Sequence, residues 1–264
     1  MITYGEMPKN IIFYFTGTGN SLKAAKDVAN VLDDCKVIPM TKSKEIILSD
    51  DSERIGFVFP VYSWTLPHFV KNFFIENHFP KNENIYYFMV ITHAGGRGNT
   101  IPIANRLLNK KGIRLKSAFD VKMVSNYIIL SDIPKNADEI NKAAQQKIIS
   151  IANIIHQKKI IEIQKMNPFI FYAGIGTNFF PTMDKKYKIS DECTGCAVCV
   201  NVCQAKNIIL KNNKPIFNHN CEQCMACIHH CPCKAINYKN ITQKRSRYIN
   251  PGIKLEEIIT RNIV

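Results

Sequence analysis

From Asn10 to about Leu130, short apolar runs alternate with stretches of helical periodicity. That alternation is the pattern of a parallel sheet covered on both faces. Strands are predicted at Ile11 to Phe15, Cys35 to Pro39, Ile55 to Pro60, Ile85 to Thr92 and Leu115 to Val121. Helices are predicted at 20–33, 66–77 and 99–110, the second opening with Pro67 where a missing N–H costs little. Over 135–159, Ile140, Ala143, Ala144, Ile148, Ile151, Ile154 and Ile155 recur at helical spacing and predict one further helix that closes the sheet.

The expected architecture is α/β, a doubly wound five-stranded parallel sheet over residues 1–165. Asn167 to Met183 is apolar and aromatic but broken by Gly174, Gly176 and Pro181, so 166–183 reads as a connector packed on both neighbours, with a membrane-surface patch as the alternative. A smaller module follows at 184–240, then a tail at 241–264 in which Leu255, Ile258 and Ile259 predict a short closing helix within Pro251 to Ile263. Met1 to Lys9 is polar, and no run reaches the roughly 18 apolar residues of a membrane span, so a cytoplasmic protein is expected.

Nine of the ten cysteines lie between 193 and 233. Clustered cysteines in a chain without an export signal point to metal rather than disulfides. Residues 193–203 and 221–231 both fit C-x2-C-x2-C-x3-C, and each cysteine of the first run has a counterpart 28 residues later, as Ile208 has in Ile236. The segment is therefore a duplicated unit. Three cysteines at every third position can wrap a cuboidal [4Fe-4S] cluster while the fourth points elsewhere. Paired zinc sites are the competing reading, but zinc motifs use paired ligands and each run here supplies four.

The first strand is followed by Thr16, Gly17, Thr18, Gly19, Asn20 and Ser21 and then a helix, which suits a phosphate. The loop lacks the lysine of a P-loop and the third glycine of a dinucleotide fingerprint. Two more loops follow strand ends: Pro60, Val61, Tyr62, Ser63 and Trp64, and then Thr92, His93, Ala94, Gly95, Gly96, Arg97, Gly98 and Asn99. Carboxyl ends of strands are where doubly wound sheets bind ligands. Tyr62 and Trp64 either offer flat rings to a flavin or belong to a buried aromatic core. His93 either contacts the flavin or is solvated, and Arg97 could neutralise a reduced flavin.

The first loop resembles the flavodoxin phosphate loop, with Ser21 in place of its final threonine, and implies FMN bound by the three loops, Arg97 and Asn99 apart. Residues 184–240 resemble the bacterial two-[4Fe-4S] ferredoxins, with Gln204 where proline usually follows the fourth cysteine. That resemblance implies an α+β ferredoxin-like domain with crossed ligation: Cys193, Cys196, Cys199 and Cys231 on one cluster, and Cys221, Cys224, Cys227 and Cys203 on the other. Cys233 and Cys35 read as buried non-ligands, and His229 and His230 as helix-surface residues or neighbours of the ligands. With the Ser125 to Tyr127 stretch, nearly the whole chain is similar to the flavodoxin and two-[4Fe-4S]-ferredoxin fusion proteins of anaerobic microbes.

The formal net charge is +14. Two cysteine-bound clusters at about −4 and a flavin phosphate at about −2 leave roughly +8, which favours acidic redox partners such as ferredoxins or flavoproteins, or else a solvated lysine-rich surface. Lys244, Arg245 and Arg247 are too small a footprint for nucleic acid. The resemblance implies electron transfer among FMN, two clusters and external redox proteins. The alternative is a ferredoxin-linked flavin oxidoreductase that reduces a quinone or nitro compound. No catalytic residue is assigned, because no acid/base pair stands beside the flavin loops in the sequence.

Overall fold

The computed structural model describes residues 8–45, 48–170 and 174–259. The outer ends of the expected first domain and tail, and 171–173 of the expected connector, lie outside the described residues.

The first half builds β1 (Asn10–Tyr14), α1 (Asn20–Ala29), β2 (Cys35–Pro39), β3 (Arg54–Pro60), α2 (His68–Glu76), β4 (Tyr86–His93), α3 (Thr100–Asn109), β5 (Leu115–Lys122) and α4 (Ala137–His156). All five strands are parallel in the order β2-β1-β3-β4-β5. This is the flavodoxin-like doubly wound order, whose switch point lies between β1 and β3. β1, β3 and β4 are apolar on both faces because both are covered. One core layer packs Phe13, Phe57, Phe59 and Met89 against Phe73 and Phe74 of α2 and Leu108 of α3. The other packs Ile12, Val58 and Phe88 against Ala25 and Val28 of α1 and Ile148 and Ile155 of α4.

Two expectations needed correction. α1 ends at Ala29 rather than at 33, since Val31 and Leu32 donate only to carbonyls three residues back and Asp34 turns left-handed at φ 46. Cys35 is half-buried, because β2 is an edge strand.

Gly56 shows how tightly the second layer is filled. A Cβ there would lie 2.1 Å from Cζ of Phe88, itself fully buried. Gly56→Ala is expected to cost about 2–3 kcal/mol by overpacking, and Phe88→Leu in the same chain should recover part of that loss in urea unfolding.

The second half is built of short elements: α5 (Phe180–Met183), β6 (Tyr187–Ile189), α6 (Val198–Asn201), β7 (Ile208–Lys211), β8 (Lys214–Phe217), α7 (Ala226–His229), β9 (Ile236–Tyr238) and α8 (Leu255–Ile258). β6 pairs antiparallel with β9, and β7 with β8. The 28-residue repeat is visible in the backbone. Ala197 and Met225 both turn left-handed (φ 61 and 62) to start α6 and α7, as Gly195 and Gln223 do before them (φ 73 and 53). Asn207 N–H donates to Cys203 Sγ at 3.2 Å, and Ala235 N–H to Cys231 Sγ at 3.3 Å.

The halves share a core: Val202, Ala226, Ile253 and Ile258 pack into the layer that holds α1 and α4. The segment from Asn167 through α5 touches both. Asn99 Nδ2 donates to Asn167 O at 2.9 Å, Gly174 N–H to Ser63 O at 3.0 Å, and Cys221 N–H to Pro181 O at 3.3 Å. Among the described residues, no helix is long and apolar enough to cross a membrane.

Candidate functional site

A cleft of about 390 Å³ opens at the carboxyl ends of the strands, a size ordinary for a bound cofactor. Of the three predicted loops it is lined by Thr16, Gly17, Thr18, Asn20 and Ser21, by Pro60 through Trp64, and by Thr92 through Gly96. Gly19 and Gly98 serve the same loops from behind. Gly19, at φ 95, lies against the Ile253 side chain, and a Cβ on Gly98 would sit 2.2 Å from Trp64 O.

The loops are tied to one another. Gly19 N–H donates to Thr16 Oγ1 at 3.1 Å, Asn126 Nδ2 to Thr18 Oγ1 at 2.8 Å and Asn20 Nδ2 to Val124 O at 3.0 Å, while the Ser21 and Thr92 hydroxyls are 2.8 Å apart. The hydroxyls of Thr16, Thr18 and Ser21 thus gather at the N-terminus of the ten-residue α1, where unpaired N–H groups and the helix dipole favour an anion. A Cβ on Gly95 would meet nothing within 4 Å, so this loop presents bare backbone to open space.

Trp64 is not core. It is 56% exposed at the cleft mouth, while Tyr62 is half-buried, edge-on to Phe15 and Phe180 at 6.4 and 6.5 Å. Ser63 and Trp64 both adopt positive φ (49 and 60) inside a two-residue turn closed by paired Tyr62 and Thr65 backbone bonds of 3.0 Å. Non-glycine residues there are strained. The turn is held from outside by Asn99 N–H on Trp64 O at 3.1 Å and by Gly174 N–H on Ser63 O.

His93 and Arg97 differ from expectation. His93 is largely buried rather than solvated: its Nε2 lies 3.1 Å from Asp120 Oδ2, and Nδ1 is buried without a partner among the described residues. Arg97 is not among the residues lining the cleft, and its Nη1 donates to Asp120 Oδ1 at 3.1 Å. The His93 hydrogen bond, aided by Lys147, holds the Asp120 carboxyl well below the usual carboxylate range. A carboxyl shifted down contributes stability that is complete above its unfolded value and lost as pH falls through the folded one. Asp120→Asn is therefore expected to cost about 1 kcal/mol at pH 7, the gap between variant and parent closing as unfolding is measured at pH 4 and below.

The eight cysteines of the two runs line two small cavities, four to each. One is lined by Cys193, Cys196, Cys199 and Cys231, the other by Cys203, Cys221, Cys224 and Cys227. Among the described residues no group of three or more His, Cys, Asp or Glu side chains is placed to hold a metal ion. Burial pushes the Cys199 thiol up to about 12, with Cys231, Cys196 and Cys193 adding to the effect. It pushes Cys227 up likewise, reinforced by Cys221, Cys224 and Cys203. Thiols so placed need positive charge before they ionise, and left-handed turns such as those at Ala197 and Met225 aim backbone N–H groups into anionic cages. Cys233 is half-buried and lines the first cage. Gln204 is buried with neither amide atom bonded among the described residues.

His229 and His230 do not lie on the surface. They are 3% and 5% exposed, and reach from the second cysteine run to the cleft loops. Tyr248 N–H donates to His229 Nδ1 at 3.0 Å, so Nε2 carries the proton and donates to Asn126 O at 2.8 Å. Burial holds this imidazole down at about 4, hence neutral. His230 Nε2 lies 3.3 Å from Gly17 O. Glu222 accepts from backbone N–H groups of Phe69 and His68, yet burial pushes its carboxyl up to about 7.

Met123, Val124, Leu130, Phe180 and Gln223 also line the cleft and were not foreseen, and Ser125 to Tyr127 were noted only as a stretch. The residues after β5 follow the same strand-end rule as the other loops and could have been found by it. Gln223 carries no local signal, since it lies inside a cysteine run.

Strand order, parallel register and a loop-built cleft at the strand ends define a flavodoxin-like α/β domain. No family model matches the chain, and no curated protein matches it. Among solved structures, the chain is similar to a Fusobacterium nucleatum flavodoxin bound to flavin mononucleotide, at 15% identity over 56% of this chain and 97% of that one, with a TM-score of 0.40. It is also similar to the Trp repressor binding protein of Bacillus subtilis, at 12% identity over 58% and 99%, TM-score 0.40. A third is the rubredoxin oxygen:oxidoreductase of Desulfovibrio gigas, at 13% identity over 56% of this chain and only 35% of that one, TM-score 0.38. Likeness at this level carries no argument about function.

Proposed function

We propose that this chain is an electron-transfer protein that binds FMN in the cleft and one [4Fe-4S] cluster in each cysteine cage, and exchanges electrons with external redox proteins. The observation that carries the reading is the composition of the cages: three cysteines of one run and the fourth of the other line each cavity. Crossed sets of this kind are the ligand pattern of two-cluster ferredoxins.

When bound, the flavin supplies a centre that takes up two electrons and releases them singly, and each cluster a centre that carries one. The chain's own part is placement. Thr16, Thr18 and Ser21 at the start of α1 would hold the phosphate. Gly95 and Gly96 would offer backbone to the ring, and Trp64 at the cleft mouth would offer it a flat side chain. N–H donors from Gln223, Asn207 and Ala235 stabilise cage sulfurs. Reduction of a quinone or nitro compound is the weaker reading, since His93 keeps Nε2 on Asp120 and Nδ1 buried, leaving it no nitrogen free to pass a proton into the cleft.

Anaerobic purification followed by iron, sulfide and flavin analysis tests the proposal. About eight irons, eight sulfides and one FMN per chain are expected, with EPR signals on reduction. Colourless protein, or protein that folds on zinc and leaves flavin unbound, would sink it.

A further inference from the structure

The two cages are not equivalent with respect to the cleft. The second cage, of Cys203, Cys221, Cys224 and Cys227, shares a wall with it. A Cβ on Gly17 would fall 2.2 Å from Cys224 O, so the backbones of the phosphate loop and of a cage ligand already touch. Gln223 lines the cleft while its backbone N–H and Nε2 donate to Cys221 Sγ at 3.3 and 3.2 Å, and Tyr187 Oη donates to its Oε1 at 3.2 Å. The first cage takes its whole lining from residues 193–236, and its Cys196 is exposed.

Resting on the function proposed above, we infer that the second cage holds the flavin's direct electron partner, that the first cage is the outlet to a one-electron carrier protein at the Cys196 end, and that Gln223 is the positioning residue of the shared wall. Each pass moves one electron along that line. Full oxidation of FMNH2 to FMN takes two passes, releases two protons to solvent and reduces two molecules of the carrier once each. Contact of backbones keeps the first step short, and donors on Cys221 Sγ tune the cage nearest the cleft.

The test uses the full chain, first assayed for iron, sulfide and FMN; lack of either cofactor overturns the underlying reading rather than the order. Gln223→Leu removes the Nε2 donor from Cys221. EPR-monitored redox titration is expected to show the potential of one cluster lowered and the other unmoved. Cys196→Ala takes a ligand from the exposed end of the first cage. Iron should drop below eight per chain, and the cluster lost or altered should be the one that Gln223→Leu leaves unmoved. Stopped-flow absorbance should then show electrons still passing from flavin to the remaining cluster, while reduction of added cytochrome c slows at least tenfold. Equal movement of both potentials in Gln223→Leu, or a Cys196→Ala protein that blocks flavin-to-cluster passage yet reduces cytochrome c at the parent rate, would overturn the order.

Discussion

Gly17→Ala is expected to lower the thermal midpoint by several degrees and, on the proposed reading, to reduce the FMN retained per chain. The added methyl would lie 2.2 Å from Cys224 O, 3.1 Å from Cys224 C and 3.2 Å from its Cβ. No flexible side-chain end can swing away, since the obstacle is the backbone of a cage loop pinned on its other side by Gln223 and the cysteines around it. One of two things must give, either the phosphate loop or the second run. Overpacking against backbone costs about 1–3 kcal/mol, and a shift of the loop would also disturb the Thr16 and Thr18 hydrogen bonds that shape the anion site. Thermal melts and flavin fluorescence after gel filtration check both effects. Parent-like values in both would mean that the contact between loop and cage is looser than the structure has it.

Cys227→Ala is expected to have the larger effect on folding. On the proposed reading it opens the second cage, and iron falls from about eight per chain toward four. The cost does not stop at the cluster. The C-terminal half has few core residues of its own, among them Ile208, Met225, Ile228 and Ile236, and a core so small leans on metal for its folding free energy. Because Val202, Ala226, Ile253 and Ile258 are packed into the layer that also holds α1 and α4, loss of order in this half uncovers the sheet's own core. A single cooperative melting transition, shifted down for both halves together, is therefore predicted by circular dichroism. Two separated transitions, with the N-terminal half melting as in the parent, would contradict the shared core.

Much of the fold was legible in the sequence because its signals are local. β1, β3 and β4 appear as apolar runs since both faces of the sheet are covered there, and the ends of all five strands agree with the expected ones to within a residue or so. The helix that opens after the first strand follows from the glycine-containing loop before it, and the duplication of the cysteine runs from a repeat that any reader of the chain can align. The cleft loops were legible for the same reason, each following a strand end.

What sequence alone determined here was periodicity, the duplicated cysteine spacing and the chemistry of three loops, all properties set by residues within a few positions of one another. Only the tertiary structure decided which residues meet across the chain: that Cys224 rests on Gly17, that Gln223 belongs to the cleft, that His229 and His230 are buried and that His93 and Arg97 both serve Asp120. These pairings are separated by up to some two hundred residues, and no local propensity encodes them. They arise when two halves bury a common apolar layer, and the polar groups trapped between must then find partners in each other.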